Sequence, residues 1–88
     1  MTIIERLQKS GIRRLGSPKR GFRYRPPSGR VPRETLVRIE ALKIPPAWKE
    51  VAISSSTSSA VQAVGKDAAG RWQYLYHEAH AARRERRK

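Results

Sequence analysis

The clearest pattern along the chain is an alternation of side chains between residues 71 and 76, where the sequence reads RWQYLY. A turn signal, DAAG at residues 67–70, comes directly before it. Six residues rich in aromatics and without Gly or Pro, after a tight turn, are typical of a hairpin strand. Side chains alternate along a strand, so three aromatic rings are expected in one row. The row is Trp72, Tyr74 and Tyr76, and the opposite face carries Arg71, Gln73 and Leu75.

A row of aromatic side chains on a strand has two interpretations. The rings can fill the core of a small sheet, because aromatic side chains bury a large area. They can also contact nucleic acid, because Tyr hydroxyls beside cationic groups bind phosphates and bases. We interpret Trp72 as a core residue, since it has one polar atom and is usually highly buried. We interpret Tyr74 and Tyr76 as contact residues, since each keeps a polar tip suited to a wet boundary.

The N-terminal part of the chain predicts a short helix followed by two strands. Residues 2–10 place Ile3, Ile4 and Leu7 on one side of a helix of about two turns, with Thr2 as its cap and Gly11 as its stop. Residues 12–15 alternate weakly between apolar and polar side chains and predict the beginning of the first strand. Residues 20–25, RGFRYR, alternate clearly and predict a strand with two aromatic residues on one face and two arginines on the other. Residues 30–31 are expected to pair back briefly after the PPSG turn.

The middle of the chain predicts one helix and two further strands. Residues 33–43 carry Leu36, Ile39 and Leu42 at helical spacing, and we expect all three to pack on a sheet. The helix is expected to begin at Pro32 and to end before Pro45. A strand follows at residues 47–53, with a second at residues 60–64 that alternates regularly. The SSSTSS segment between them, residues 54–59, predicts a polar, flexible hairpin tip.

These elements predict an α+β domain with a small antiparallel sheet of about four to five strands, one main helix packed on it and short terminal helices. We divide the chain into a basic segment with a short helix (1–19), an α+β core (20–77) and a basic helical segment (78–88). The last segment is rich in Ala and ends with five basic residues in six, including Arg83 and Arg84. This charge run is either a solvated helix face or a track along a phosphate backbone.

The net charge of the chain indicates which kind of partner it binds. The chain carries 20 Lys and Arg against 7 Asp and Glu, a formal net charge of +13, whereas about 2 to 8 is enough to keep a small domain soluble. Such a field favours polyanionic partners, nucleic acid first, and opposes self-association, so we expect a monomer. The first 33 residues hold ten of the cations and a single acid, Glu5.

Several function classes are not expected. There is no Cys, and the two His residues, three positions apart, make a weak metal site, so no metal and no cofactor is predicted. No apolar run approaches the roughly 20 residues that cross a bilayer, and the N-terminus lacks the features of a signal peptide, which predicts a cytoplasmic location. No catalytic motif for a hydrolase, a P-loop enzyme or a zinc protease is present, so no catalytic residue is predicted.

Three stretches resemble one family when taken together. GKDAAGRWQYLYH (65–77), RGFRYR (20–25) and IPPAWKEV (44–51) are similar to the N-terminal domain of the bacterial and poxvirus-like type IB DNA topoisomerases. The resemblance implies that Gln73, Tyr74 and Tyr76 lie against duplex DNA in the major groove near the cleavage site. The family usually has a basic residue at the position of Trp72. Its Tyr nucleophile and the Arg, Lys and His that assist it lie in a C-terminal domain.

On this resemblance, the chain is expected to bind double-stranded DNA as a clamp domain and not to cleave it by itself. The parent protein would be an ATP-independent isomerase located at the nucleoid, whose catalytic domain follows in the same polypeptide. Phosphate contacts are expected from cations that would position the duplex without reading its sequence. They are Lys66, Arg71, Arg20, Arg23, Arg83 and Arg84.

One difficulty and one alternative accompany this hypothesis. Gln73 could pair with an adenine edge, but simple alternation puts it on the face opposite Tyr74 and Tyr76 unless the strand bulges or ends nearby. The alternative function is a small basic RNA-binding or ribosome-associated protein, for which the composition argues equally well.

Overall fold

The computed structural model of the protein describes residues 2–77. It contains two helices, α1 (Ile3–Ser10) and α2 (Arg33–Leu42). The five strands are β1 (Ile12–Ser17), β2 (Gly21–Arg25), β3 (Lys49–Ile53), β4 (Val61–Lys66) and β5 (Trp72–Tyr76). They form one antiparallel sheet in the order β2-β1-β3-β4-β5. The predicted α+β class and strand number are confirmed, and the helix predicted over 78–88 lies outside the described residues.

A helix covers each face of this sheet. Ile39 of α2 is 2% exposed and packs with Val51 and Ile53 of β3. Leu7 of α1 packs on the opposite face, against Ala52 of β3 and Val64 of β4. We call these the α2 face and the α1 face. The sheet is thus the middle layer of three, and its outer strands, β2 and β5, form the two edges.

The N-terminal helix is capped as predicted and belongs to the same folded unit as the rest. The Glu5 backbone N–H donates to Thr2 Oγ1 over 3.1 Å, and the Gly11 N–H donates to the Leu7 carbonyl over 2.8 Å. A Cβ at Gly11 would lie 2.6 Å from the Ile53 carbonyl oxygen, so only Gly fits where α1 turns into β1. The predicted boundary at residue 19 falls in the turn between β1 and β2, which pair with each other across it.

The second helix differs from its prediction at one position. Ile39 and Leu42 pack toward the sheet, but Leu36 is 39% exposed and is not a core residue. The side of α2 that faces the sheet centres on Ile39, the one fully buried residue of the helix, and Leu36 lies at the margin of that side. The helix ends at Leu42, and Lys43 follows in the left-handed region with φ 51°. The brief strand predicted at residues 30–31 does not form.

Two bulges break the regular alternation predicted for β3 and β4. Between its pairs with β4, β3 has one extra residue, where Glu50 has φ 52°. In β4 the extra residue is Gln62, between the pairs with Tyr76 and Leu75. The second bulge puts Val61 on the α1 face with Val64, whereas regular alternation predicted opposite faces.

The serine-rich connection between β3 and β4 was predicted to be a flexible hairpin tip, but side chains hold its backbone. Gln62 Nε2 donates to the carbonyls of Ser59 (2.6 Å) and Ser56 (3.2 Å). Arg38 of α2 donates from Nη1 to Gln62 Oε1 (2.5 Å) and from Nη2 to the Ser54 carbonyl (2.7 Å). A buried amide and a guanidinium thus fix the loop backbone from inside.

Candidate nucleic-acid interface

The aromatic row predicted on β5 is present on the α1 face. Tyr74 is 38% exposed and Tyr76 is half-buried. Their ring centroids are 6.4 Å apart and the ring planes are inclined by 27°, a stacked arrangement. We call these two residues the tyrosine pair. Neither ring is fully buried, as the contact interpretation requires, and each hydroxyl both donates and accepts hydrogen bonds.

Trp72 begins the same row but belongs to the core. It is half-buried and packs against the cluster that contains Leu7 and Val64, which confirms its interpretation as a core residue. Lys66 lies beside it, with Nζ 5.4 Å from the centroid of a Trp72 ring. Lys66 Nζ also lies 3.5 Å from Glu50 Oε2. The cation is therefore anchored next to the tyrosine pair on the α1 face.

Gln73 is not on the face of the tyrosine pair. The β4–β5 register is regular from the Lys66–Trp72 pair to the Val64–Tyr74 pair, so alternation puts Gln73 on the α2 face, opposite Gly65. The bulge at Gln62 lies further along the strand and leaves this placement unchanged. Gln73 is half-buried, and its Nε2 donates to Asp67 Oδ2 over 2.9 Å.

Asp67 organises the turn between β4 and β5 and contacts two of the predicted contact residues, Arg71 and Gln73. Its Oδ1 accepts from the backbone N–H of Ala69 (3.0 Å) and of Arg71 (2.9 Å). Its Oδ2 accepts from Gln73 and lies 3.4 Å from Arg71 Nε. The backbone hydrogen bond from Arg71, followed by that from the Gln73 side chain, lowers the pKa of Asp67. The carboxylate stays ionised at neutral pH and holds both side chains.

The predicted cations are spread over the fold. Arg23 of β2 is exposed and lies on the α1 face, because its neighbour Tyr24 packs in the α2 cluster. Arg20 is exposed in the β1–β2 turn, where its backbone N–H donates to Ser17 Oγ over 3.1 Å. Arg71 precedes β5, and its side chain is 75% exposed. Arg83 and Arg84 lie outside the described residues.

Arg13 and Arg14 are neighbours in β1 but lie on opposite faces of the sheet, a difference that the sequence analysis did not predict. Arg14 points to the α2 side, where its Nη2 donates to the carbonyls of Pro45 (3.0 Å) and Trp48 (2.9 Å). Its Cζ lies 4.1 Å from the centroid of the Phe22 ring, and burial lowers its pKa. Arg13 lies on the α1 face, directly opposite Arg25 of β2. The alternation of residues 12–15 was the available signal, but it was weak.

The described residues offer no metal centre and no membrane-spanning helix. Within residues 2–77 there is no group of three or more His, Cys, Asp or Glu side chains placed to hold a metal ion. No helix in that range combines the length and apolarity needed to cross a bilayer. What the α1 face offers is a stacked tyrosine pair and cations.

Comparison with known proteins identifies the family. Residues 21–67, more than half of the chain, match the family model of the bacterial DNA topoisomerase IB N-terminal domain. The chain therefore belongs to this family, which confirms the resemblance seen in the sequence. The match runs from β2 to the end of β4 and stops before β5.

A curated relative is similar to the chain over a comparable length. The DNA topoisomerase 1B of Acanthamoeba polyphaga mimivirus is 43% identical over 53 residues, which cover 60% of this chain. The same residues cover 16% of the viral protein, so the chain spans a small part of the length of this relative.

Proposed function

We propose that this chain is the DNA-binding clamp domain of a type IB DNA topoisomerase. It binds a duplex on the α1 face and positions it for cleavage by a catalytic domain elsewhere in the same polypeptide. The family and the viral relative support the topoisomerase assignment. The observation that carries the binding role is the stacked tyrosine pair, with Tyr74 exposed and Tyr76 half-buried, on the same face as exposed arginines of β2.

Charge supplies affinity and the tyrosine pair supplies geometry in this proposal. Cations such as Arg23 neutralise phosphates and fix the position of the duplex without reading its sequence. Tyr hydroxyls can donate to phosphate oxygens or meet base edges in a groove. Because the rings already stack on each other, little side-chain freedom is lost on binding.

The edge position of β5 brings Gln73 into the same proposal. Side chains on the two faces of an edge strand both lie next to the open edge, so a duplex that lies on the α1 face and reaches the edge at β5 contacts the tyrosine pair on that face and meets Gln73 at the edge. Gln73 has two N–H donors and one carbonyl acceptor. One N–H is given to Asp67, which leaves one donor and the acceptor, the combination that an adenine edge requires.

The parent protein, in this proposal, is an ATP-independent isomerase that acts at the nucleoid in the cytoplasm. The 88-residue chain binds DNA but does not cut it, and it does so as a monomer because its charge opposes self-association. A supercoil relaxation assay with the 88-residue chain should show no relaxation, and light scattering should give the mass of one chain.

The binding proposal is tested by titrating the 88-residue chain with a duplex oligonucleotide at low ionic strength. Amide signals of residues 71–77 should move, and Tyr74→Ala should weaken binding about tenfold, which corresponds to ~1.4 kcal/mol. The matched control is Val37→Ala, which removes an exposed apolar side chain from α2 and should leave affinity unchanged. Unmoved signals over residues 71–77 would refute the proposal, and preference for structured RNA in competition would favour the RNA-binding alternative.

A further inference from the structure

We propose that Lys9, Arg13 and Arg25 form a second phosphate-binding site, separated from the tyrosine pair by α1. We call it the phosphate cleft. Its ligand is one backbone phosphodiester, and the assignment of that phosphate to DNA rests on the function proposed above. The binding chemistry itself depends only on the three cations and their surroundings.

The cleft is formed where α1 meets the β1–β2 hairpin. It has a volume of about 400 Å³, and its lining includes all three cations together with Leu15 and Pro26. Lys9 lies in the last turn of α1. Arg13 and Arg25 are register partners on adjacent strands, and both belong to the α1 face. Side chains of directly opposed residues lie close together on a sheet, and like charges at such positions repel.

No carboxylate among residues 2–77 relieves this repulsion. The two ion pairs in that range, Lys66–Glu50 and Arg71–Asp67, both lie elsewhere, and no acidic side chain lines the cleft. Two opposed arginines without a counter-charge favour an anion between them.

Arg13 has donor capacity to give to that anion. Its Nε is buried and has no hydrogen-bond partner, and its Nη1 makes only a long bond of 3.4 Å to the Gln8 carbonyl. A buried donor without a partner is costly. The Nε and one Nη of a guanidinium match two oxygens of a phosphate, which is the bidentate geometry that arginine forms with this group.

The position of the cleft sets its distance from the tyrosine pair. The cleft lies between β1 and β2, three to four strand-to-strand steps from β5, and steps of about 4.8 Å give a separation of roughly 14–19 Å. Successive phosphates on one DNA strand advance about 3.4 Å along the helix axis, so this separation corresponds to roughly four to six base pairs. A duplex bound at both places therefore passes over α1.

The first arm of the test uses inorganic phosphate with the 88-residue chain. Phosphate should shift the Nε–Hε signal of Arg13, and the double variant K9Q/R25Q should weaken this response several-fold. The control R33Q/K43Q removes the same charge from exposed positions on and just after α2 and should keep the response. An Arg13 signal that does not respond to phosphate, or responds equally in K9Q/R25Q, overturns the cleft.

The second arm measures duplex affinity against salt concentration. Loss of one phosphate contact should lower the log–log slope by about 0.9 in K9Q/R25Q, and R33Q/K43Q should keep the slope. If DNA moves residues 71–77 but the slope of K9Q/R25Q is unchanged, no DNA phosphate occupies the cleft and the inference fails while the proposed function stands. If DNA moves no signal at all, the proposed function fails, and the phosphate arm still decides the cleft.

Discussion

Replacement of Arg14 by Met should strongly destabilise the fold. It should leave unchanged the log–log slope of duplex affinity against salt concentration. The Arg14 guanidinium donates two good hydrogen bonds, to the Pro45 and Trp48 carbonyls, and a longer one of 3.5 Å to the Ile44 carbonyl. A hydrogen bond from a charged group contributes about 1.5–3 kcal/mol. Arg14 is only partly buried, so we take the lower end for each good bond and expect a loss of about 3 kcal/mol.

That loss is large for a domain whose total stability is about 5–15 kcal/mol. With a urea dependence of about 1 kcal/mol per molar for a small protein, the unfolding midpoint should fall by roughly 3 M. Urea unfolding followed by Trp fluorescence measures this shift, because Trp48 and Trp72 are half-buried in the folded protein and become exposed to water on unfolding.

The neighbouring variant Arg13→Met is the matched control. It removes the same charge one position earlier, from the face that carries the phosphate cleft, and relieves the repulsion with Arg25. Its stability should stay within about 1 kcal/mol of the parent, whereas its salt slope in DNA binding should fall. The reverse result, with Arg13→Met unstable and Arg14→Met stable but lower in slope, would show that the two arginines had been assigned to the wrong roles.

Three further predictions concern the turn, the sheet and the serine loop. Because the pKa of folded Asp67 lies below its ordinary value of 3.8, the carboxylate contributes stability that is present above that pH and lost as pH falls through the folded pKa; urea unfolding between pH 2 and 6 should show a shallower pH dependence in Asp67→Asn, and an unchanged one contradicts the hydrogen-bond assignment. Gly65→Ala would place a Cβ 2.6 Å from Trp48 Cε3, so thermal unfolding should reveal a loss of about 1–3 kcal/mol from overpacking, and an unchanged unfolding temperature would contradict this close approach of Trp48 to the strand. Arg38→Met should cost about 3 kcal/mol through two lost charge-assisted bonds, at the lower end of about 1.5–3 kcal/mol for each, and should shift the amide signals of the serine loop; unmoved loop signals would mean that the guanidinium does not hold it.

Much of the local structure followed from short sequence windows. The alternation over residues 20–25 and 71–76 predicted two strands and the faces of their aromatic residues, because a two-residue period depends only on neighbouring positions. The cap at Thr2 and the stop at Gly11 were equally local. The family resemblance rested on three short stretches and was confirmed by the family model.

Contacts between distant residues decided the rest. The exposure of Leu36, the bulge at Gln62 and the hydrogen bonds that hold the serine loop all depend on which strand or helix lies alongside, and a single window does not contain that information. Gln73 shows the same limit. Local alternation predicted the face on which it lies, but only the strand order showed that β5 is an edge strand.

The two arginines at positions 13 and 14 separate the two kinds of information most clearly. The sequence by itself determined that this region is strongly basic and therefore suited to a polyanion. The tertiary structure decided that Arg14 holds carbonyls 30 to 34 positions later in the chain, while Arg13 faces the cleft opposite Arg25. The physical reason is that a guanidinium takes its role from the acceptors around it, and those acceptors are brought together only when the sheet and the loop before β3 have formed.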